Sequence, residues 1–307
     1  MASSHALILA AGRGTRLLPV TNFIPKPLFP VAGTPAIEKV IQILSIPAVT
    51  KIALNIHHLK GKMMQWLSAS YPRSGIIRPL QEDILLGTGG AVKNAFDYLG
   101  YDLPILVYNA DIVCNLDPAI LLKEYFHLGC PPALLCLHDR PEFNKIHTDG
   151  NNVVSFHHRS PETETLAYTG ISVISPELFR EIPLKPCSMV TVWEKAITQG
   201  QDIKYIRANK SCTRASEWVW EDIGTPCGYL QGNWQTMGRK HTIISPKASL
   251  GRDIKIKGRV IIGREALIGD NSCIEDSIIW PYARVRANET IKNSVVTPHG
   301  RLTCPSG

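Results

Sequence analysis

With 307 residues, the chain is long enough to bury a substantial core and to divide into two domains. Its apolar fraction of 44% and charged fraction of 19% are typical of a globular protein, and its formal net charge of +7 is spread along the chain, which favours small acidic ligands and argues against a nucleic-acid partner. No apolar run approaches the length of a membrane span and the amino-terminal residues lack a signal-peptide pattern, so a cytoplasmic protein with no membrane partner is expected.

The eight cysteines show no C-x-x-C spacing, which argues against a zinc site. Disulfide frameworks are typical of short secreted chains, whereas this chain is long and shows no secretion signal. The sequence therefore predicts free thiols. The cysteines are Cys114, Cys130, Cys136, Cys187, Cys212, Cys227, Cys273 and Cys304.

The first chemical signal along the chain is a glycine-containing stretch behind a short apolar segment. Residues 6–10 are predicted to form a buried strand, because they are apolar and end in small side chains. Gly12 and Gly14 then let the backbone pass close to a bulky anion, and successive N–H groups can converge there on phosphate oxygens. Arg16 and Lys26 add fixed cations, which transfer of a phosphate group requires when charge develops.

A glycine-rich turn after a strand is common by itself. This one is neither a Walker loop nor a dinucleotide fingerprint, because no Gly-Lys-Ser/Thr follows and the third glycine is missing. Residues 9–28, however, match L-A-A-G-x-G-x-R-L-x-P-x-T-x-x-x-P-K-P-L at every fixed position, and this resembles the signature of the sugar-1-phosphate nucleotidylyltransferases. The resemblance implies that Arg16 binds the pyrophosphate leaving group and Lys26 the reacting phosphates. It also implies nucleotide contacts at Leu9, Ala10, Ala11, Gly12, Gly14 and Thr15.

A second glycine-rich stretch, at residues 87–90, lies between a predicted strand and a predicted helix. Small residues at a helix N-terminus can let a base or ribose lie against backbone amides, although a plain strand-to-helix connection has the same composition. The stretch resembles the family's L-G-T-x-G-A loop, which contacts the base and ribose. The resemblance therefore implies nucleotide contacts at Gln81, Glu82, Gly87, Thr88 and Gly90.

Two aspartates in separate motifs are the candidate metal ligands. Asp111 follows a predicted strand over 104–108, and Mg²⁺ is often held by one or two carboxylates plus substrate phosphates. From the residues alone, a strand-end aspartate is more often a turn or cap residue. Asp111 resembles the aspartate of the family's N-G-D motif and Asp222 that of its D-I-G-T-P motif, which implies a shared Mg²⁺. Asn109 is placed among the sugar-phosphate contacts by the same resemblance.

The sugar side combines one match to the family with one departure. Thr169 and Gly170 resemble the Thr-Gly pair of the strand that approaches the sugar. Most members carry Glu-Lys-Pro before that strand, where residues 157–161 of this chain read H-H-R-S-P. Because a guanidinium pairs well with phosphate, Arg159 is predicted to supply the sugar-phosphate cation. Lys145 is the competitor, and a solvated loop residue is the alternative for Arg159.

Beyond residue 238 the pattern changes to a six-residue period. This resembles the hexapeptide repeat of left-handed parallel β-helices, in which stacked coils bury a column of aliphatic side chains. An irregular β tail is the alternative. The period is carried by Ile244, Leu250, Ile256, Ile262, Ile268 and Ile274, and after a one-residue slip by Ile279, Val285 and Ile291.

The sequence thus predicts an α/β protein of two domains. Residues 1–238 would form a Rossmann-like nucleotidyltransferase domain on a mixed, mostly parallel sheet, and residues 239–307 a short left-handed parallel β-helix. Because short β-helices often pair, a homo-oligomer is expected.

The resemblance implies Mg²⁺-dependent transfer of a nucleotidyl group from an NTP to a sugar-1-phosphate. GTP with mannose-1-phosphate is the favoured substrate pair, and UTP with N-acetylmuramate-1-phosphate or another sugar-1-phosphate is the alternative. A phosphocholine cytidylyltransferase is a third enzyme that the sequence allows. A non-catalytic subunit that binds nucleotide-sugars, and a hexapeptide acyltransferase, are candidates from other classes.

Overall fold

A computed structural model describes residues 3–72, 74–140, 142–157 and 163–305. The chain divides into two compact units, one formed by residues 1–12 and 39–219, the other by residues 13–38 and 220–307. These units differ from the predicted domains, because residues 13–38 and 220–238 group with the tail. The predicted domain boundary at residue 238 stays a prediction. Arg159, the predicted sugar-phosphate cation, lies outside the described residues.

Several helices begin behind a residue whose side chain accepts a hydrogen bond from the first turn. Ser188 precedes α5 (Met189–Thr198) and accepts a hydrogen bond from the N–H of Thr191, and Thr225 precedes α6 (Pro226–Met237) and accepts one from the N–H of Gly228. None of the helices in the described ranges combines the length and the apolar character that crossing a bilayer requires. The helices are α1 (Ala36–Leu44), α2 (Lys60–Ser70), α3 (Gly87–Leu99), α4 (Pro118–His127), α5 (Met189–Thr198) and α6 (Pro226–Met237).

The strands are numbered in chain order. They are β1 (Ser4–Leu9), β2 (Pro30–Val31), β3 (Thr34–Pro35), β4 (Val49–Ile56), β5 (Ile77–Gln81), β6 (Ile105–Asn109), β7 (Ile112–Cys114), β8 (Ala133–His138), β9 (Lys145–Asp149), β10 (Asn152–Ser155), β11 (Glu164–Ile174), β12 (Lys204–Arg207), β13 (Trp220–Asp222), β14 (Thr242–Ile244), β15 (Ser249–Leu250), β16 (Lys255–Ile262), β17 (Leu267–Ile268), β18 (Cys273–Ile279), β19 (Arg284–Val285), β20 (Thr290–Lys292), β21 (Ser294–Thr297) and β22 (Gly300–Thr303).

The first unit is built on a sheet with the strand order β5-β4-β1-β6-β11-β8-β12-β10-β9. The half formed by β5, β4, β1 and β6 is parallel throughout. In the other half β11 runs antiparallel to β6, β8 and β9, whereas β12 runs parallel to β8, so the sheet is mixed, as predicted. Strands β9 and β10 are also antiparallel, because the two residues that join them, Gly150 and Asn151, are too few for the crossover that parallel strands need.

The core of the first unit lies where α3 and α5 pack on this sheet. Leu7 of β1, Val107 of β6, Phe96 of α3 and Trp193 of α5 are each at most 2% exposed within one apolar cluster. Burial of side chains of this size stabilises the fold by roughly 1.5–3 kcal/mol each. The carboxyl ends of β1 and β6, which precede the predicted site residues, are therefore anchored to a packed interior.

In the second unit, the tail strands stack in parallel at a regular spacing. Thr242 of β14 lies opposite Val260 of β16, an offset of eighteen residues, and Val260 lies opposite Ser277 of β18, an offset of seventeen. The change of offset coincides with the one-residue slip seen in the repeat. Ile268 and Ile274 are buried, whereas Ile244 and Leu250 at the open end of the stack are 37% and 43% exposed.

The second unit also contains a disulfide that was not expected. Cys227 of α6 and Cys304, which follows β22, are bonded, with their Cα atoms 4.8 Å apart. The prediction of free thiols is wrong for this pair, because 77 residues separate them and sequence spacing does not determine Cα distance over such a loop. The prediction holds for the other cysteines, which are Cys114, Cys130, Cys136, Cys187, Cys212 and Cys273.

Candidate active site

The second unit gathers three of the predicted charged residues into one cluster. The Asp222 carboxylate, at the end of β13, has Arg16 Nη2 3.5 Å from Oδ2 and Lys26 Nζ 3.7 Å from Oδ1. The Lys26 side chain is 8% exposed, whereas that of Arg16 is 60% exposed. Two cations thus face one carboxylate, and one of them, Arg16, is exposed to solvent.

Consecutive tight turns place these side chains. Gly14 adopts a left-handed conformation with φ of 64° immediately before the turn Thr15–Leu17, and Thr21 Oγ1 donates to the Gly14 carbonyl at 3.0 Å. Pro25 then precedes the turn Lys26–Leu28, where its ring fixes the entering backbone. The glycine and proline positions of the motif therefore determine where Arg16 and Lys26 lie.

Gly224 allows the charged groups to converge. A Cβ added there would lie 2.8 Å from Lys26 Nζ and 2.7 Å from Asp222 Oδ1, closer than real Cβ atoms approach. The N–H of Gly224 also donates to Asp222 Oδ1 at 2.7 Å, which fixes the orientation of the carboxylate. The sequence interpretation missed Gly224 as a site residue, although the Asp-Ile-Gly-Thr-Pro motif contained the signal.

In the first unit, the loop after β1 combines a fixed beginning with an open end. Ala10 and Ala11 are each 4% exposed, and the N–H of Ala10 donates to Asn55 Oδ1 at 2.7 Å. Gly12 is exposed, and a Cβ added there would meet nothing within 4 Å. Space for a ligand is therefore present at Gly12. Leu9, the last residue of β1, is half-buried.

Gln81 and Glu82, both predicted nucleotide contacts, lie in opposite environments at the end of β5. Gln81 is exposed, so its amide is accessible to a ligand. Glu82 is 3% exposed, and its carboxylate accepts hydrogen bonds from Asn55 Nδ2 at 2.9 Å and the N–H of Leu86 at 3.1 Å. Sequence reasoning missed Asn55, whose signal was a single amide side chain in the otherwise apolar end of β4.

The second glycine-rich stretch packs against another part of the same unit. The amides of Gly89 and Gly90 donate to the carbonyl of Cys187 at 3.0 and 3.4 Å, and the N–H of Met189 donates to Thr88 Oγ1 at 2.8 Å. Gly87, with φ of 70°, would place an added Cβ 2.5 Å from the Cys187 carbonyl oxygen. These small residues thus accommodate the chain around Cys187, and nucleotide contacts at Gly87, Thr88 and Gly90 stay a prediction.

The predicted sugar-side residues meet where β6 and β11 are neighbours. Gly170, with φ of 84°, would place an added Cβ 2.8 Å from Asn109 Nδ2, so the absence of a side chain makes room for Asn109. Thr169 is fully buried, and its hydroxyl donates to the Cys136 carbonyl at 2.8 Å. The Thr169 side chain therefore links strands β11 and β8. Asp111 follows the end of β6 and is half-buried.

Two buried side chains near this junction, Cys136 and Tyr168, are kept neutral by burial. Burial raises the pKa of the Cys136 thiol well above its ordinary value, and burial likewise raises the pKa of the Tyr168 phenol, whose oxygen lies 2.8 Å from Ser172 Oγ. Neither group carries charge near neutral pH.

Within the ranges that the structure describes, no group of three or more His, Cys, Asp or Glu side chains is arranged to hold a metal ion.

The chain is similar to known proteins over most of its length. Residues 5–237 match the family model described as Nucleotidyl transferase. The bifunctional protein GlmU of Methanocaldococcus jannaschii is 28% identical over 269 residues, which cover 85% of this chain and 61% of that protein. The chain thus spans about three fifths of the length of this protein and of the GlmU protein of Methanococcus aeolicus, to which it is also 28% identical.

Two further relatives carry narrower names. A putative mannose-1-phosphate guanyltransferase of Sulfolobus acidocaldarius is 24% identical over 89% of this chain and 75% of its own length. N-acetylmuramate alpha-1-phosphate uridylyltransferase of Caulobacter vibrioides is 27% identical over 72% of this chain and 92% of its own length.

Among solved structures, HddC from Yersinia pseudotuberculosis, complexed with GMP-PN, superposes with a TM-score of 0.62 at 22% identity, over 76% of this chain and 99% of that one. This likeness shows a shared fold. The family model covers most of the chain, including the residue ranges that hold Arg16, Lys26, Asp111 and Asp222. The chain belongs to the nucleotidyl transferase family.

Proposed function

We propose that this chain is a sugar-1-phosphate nucleotidylyltransferase, which transfers the nucleotidyl group of an NTP to a sugar-1-phosphate and releases pyrophosphate. The observation that carries the proposal is the cluster of Arg16 and Lys26 around Asp222. Two cations beside one carboxylate suit a substrate that is strongly anionic and arrives with a divalent cation. Family membership and the names of the relatives support the same reaction class.

The proposed chemistry needs positioning and charge neutralisation. A phosphate oxygen of the sugar-1-phosphate attacks the α-phosphorus of the NTP, the bond from that phosphorus to the bridging oxygen breaks, and its electron pair leaves with pyrophosphate. The attacking oxygen is already anionic, so no general base is required. Arg16, which is exposed, binds the departing pyrophosphate, and Lys26, which is buried, binds the reacting phosphates.

Asp111 and Asp222 are the proposed ligands of a Mg²⁺ ion. Carboxylate oxygens are the donors that this hard cation prefers, and the Asp222 side chain is 20% exposed. Mg²⁺ usually completes its coordination with water and substrate phosphates, so a site with two carboxylates fits it better than a larger protein cage. When bound, the ion would neutralise charge on the phosphates that react.

The substrates divide between the two sides of the proposed site. Leu9, Ala10, Ala11, Gly12, Gly14 and Thr15 would line the triphosphate, and Gln81, Gly87, Thr88 and Gly90 the base and ribose. Asn109, Thr169, Gly170 and Arg159 would lie on the side of the sugar phosphate. Open space at Gly12 and the exposure of Gln81 support the nucleotide assignment most directly. For the cation, Lys145, exposed at the start of β9, competes with Arg159.

GTP with mannose-1-phosphate is the proposed substrate pair. The relative with that activity in its name aligns over 89% of this chain, beyond the region that the family model matches. The tail is proposed to be a short left-handed β-helix, and the parallel stacking of its strands supports this fold. We also propose that the tail promotes self-association. UTP with N-acetylmuramate-1-phosphate is the second candidate, because the uridylyltransferase aligns over 92% of its own length.

One assay tests the proposal. Pyrophosphate release is measured for the four NTPs against a panel of sugar-1-phosphates, with Mg²⁺ and with a chelator. Release that needs one pair and Mg²⁺ supports the proposed reaction and identifies its substrates. Binding of a nucleotide-sugar without pyrophosphate release from any pair would instead assign the chain to a non-catalytic, nucleotide-sugar-binding class.

A further inference from the structure

A buried chain of hydrogen bonds joins the two loops that the proposed function assigns to the nucleotide. It starts at the N–H of Ala10, just after β1, which donates to Asn55 Oδ1 at 2.7 Å. Asn55 Nδ2 donates to Glu82 Oε1 at 2.9 Å, and Glu82 Oε2 accepts from the N–H of Leu86 at 3.1 Å. Leu86 immediately precedes α3. Two side chains therefore connect the loop after β1 to the start of α3.

The members of this chain are shielded from water. Asn55 and Glu82 are each 3% exposed, Ala10 is 4% exposed and Leu86 is 8% exposed. The backbone of Glu82 is held as well, since its N–H donates to the Ile56 carbonyl at 2.8 Å. In such surroundings an unsatisfied polar group costs roughly 1–3 kcal/mol, so the order of donors and acceptors along the chain is strongly constrained.

We propose that Asn55 and Glu82 are positioning residues for the nucleotide, which set the distance and orientation between the loop at Ala10 and the turn at Leu86. The inference rests on the proposed function, because it assumes that an NTP contacts the residues that follow each of them. A side chain that only filled this space could be apolar, since a packed aliphatic group leaves the same volume occupied. Instead, the Asn55 amide oxygen accepts from the Ala10 N–H at one end, the Glu82 carboxylate accepts from the Leu86 N–H at the other, and the two side chains are bonded to each other.

Only certain residue pairs satisfy this arrangement. Both ends are N–H donors, so the two side chains must present an acceptor to each end and a donor–acceptor pair to one another. Asparagine followed by glutamate does so. Glu82→Gln alone turns an amide NH₂ towards one of the donors, and Asn55→Asp alone makes two carboxylates face each other. Both changes together restore a complete chain with donor and acceptor reversed at its centre.

This reversal defines the experiment. Steady-state kinetics with the substrate pair found for the wild-type protein would be measured for Asn55→Asp, Glu82→Gln and the double variant, together with melting temperature. Each single substitution is expected to raise KM for the NTP by about tenfold or more, and to leave KM for the sugar-1-phosphate within about twofold. The double variant is expected to return KM for the NTP to within about threefold of the wild-type value.

Asp97→Asn serves as the matched control. The Asp97 carboxylate also bonds two protein donors, Lys93 Nζ at 2.8 Å and the Tyr101 hydroxyl at 2.6 Å, but it lies in the last turns of α3. Its neutralisation is expected to lower the melting temperature and leave both KM values unchanged. A readout specific to the NTP therefore separates positioning from general stabilisation.

Several results would overturn the inference. Single variants that melt lower but keep the wild-type KM for the NTP would show that the pair is purely structural, and a double variant without rescue would contradict the proposed order of donors and acceptors. If either single variant does not fold, the double variant decides the test. A raised KM for the NTP in the double variant, or its failure to fold, would contradict the inference. A wild-type protein inactive on every pair would overturn the proposed function and this inference together, whereas an active one with unmoved variants overturns the inference alone.

Discussion

The two glycine-rich stretches look alike in the sequence and differ in the structure. At Gly12 an added Cβ would meet nothing within 4 Å. At Gly87 it would lie 2.5 Å from the Cys187 carbonyl oxygen, and at Gly90 2.7 Å from that of Lys185. A glycine indicates that something approaches the backbone closely, but it does not say whether that is a ligand or the protein's own chain. The first stretch has open space at Gly12, although at Gly14 an added Cβ would lie 2.8 Å from Thr21 Cγ2, and the second stretch is filled at Gly87 and Gly90.

Polar groups near the two stretches also differ in what they contact. Gly89 at the start of α3 donates to the Cys187 carbonyl, so this amide is already bonded within the protein. Near the first stretch in sequence, Arg16 is exposed and lies 3.5 Å from the Asp222 carboxylate, a long contact for an ion pair. We therefore expect substitutions at the charged cluster to affect activity and substitutions at the second stretch to affect folding.

Asp222→Asn should have the largest effect. The substitution removes a proposed Mg²⁺ ligand and a charge between Arg16 and Lys26, so kcat is expected to fall by about 100-fold or more, or ~2.7 kcal/mol. Saturating sugar-1-phosphate should not restore it. Circular dichroism and urea unfolding should show a folded protein, because asparagine can still accept the hydrogen bond from Gly224. Turnover near the wild-type value at ordinary Mg²⁺ would remove Asp222 from the site.

Gly87→Ala should have the largest effect on folding. Alanine is strained at a φ of 70°, and its Cβ would have to displace the Cys187 carbonyl, so the free energy of unfolding should fall by roughly 3 kcal/mol. Urea titration gives this value. Gly61→Ala is the matched control, because Gly61 lies in α2 with nothing within 4 Å and alanine favours a helix. A Gly87→Ala protein as stable as the Gly61→Ala protein would mean that the second stretch is not filled as described.

His138 is a titratable side chain packed in the interior of the first unit, where it is 3% exposed. Burial, aided by the charge of Arg140, lowers the pKa of His138 from 6.5 to about 4. The unfolded chain therefore binds a proton at a higher pH than the folded protein does. The stabilisation is fully present above about pH 6.5 and is lost as the pH falls towards 4, by about 2 kcal/mol between pH 7.5 and pH 5.

The measurement for His138 is urea unfolding at those two pH values for the wild-type protein and for His138→Gln. Because glutamine does not titrate, the loss of unfolding free energy between the two values should be smaller in the variant by about 2 kcal/mol. This difference does not depend on how much the substitution itself destabilises the protein. An equal loss in both proteins would show that His138 is not the group that titrates.

What could be predicted from the sequence follows local pattern. The strand expected over 6–10 is Ser4–Leu9, the one over 104–108 is Ile105–Asn109, and the slip in the hexad period reappears as a change of strand offset. These features depend on apolar periodicity, which neighbouring residues carry. The motif that resembles the family was equally local, and the family itself is confirmed by the match over residues 5–237.

What could not be predicted depends on contacts between distant residues. The bond of Asn55 to Glu82, the packing of Cys187 on Gly87 and the disulfide between Cys227 and Cys304 each join positions at least 27 residues apart. A single amide in a strand or a single cysteine in a helix does not indicate its partner. The role of Glu82 illustrates the consequence, because the sequence placed it on the nucleotide and the structure places its carboxylate in the interior.

Gly12→Ala should have the smallest effect and is the most direct test of the comparison. Because an added Cβ meets no atom within 4 Å, the free energy of unfolding should stay within about 0.5 kcal/mol of the wild-type value. If the space belongs to the nucleotide, the same methyl group should press on the ligand and raise KM for the NTP by about tenfold, or ~1.4 kcal/mol. KM for the sugar-1-phosphate should be unchanged, and Gly61→Ala should alter neither constant. A stability loss comparable to that of Gly87→Ala would show that the protein itself fills the space at Gly12. An unchanged KM for the NTP in a stable variant would show that the nucleotide does not approach there, and the open space after β1 would then have no assigned ligand.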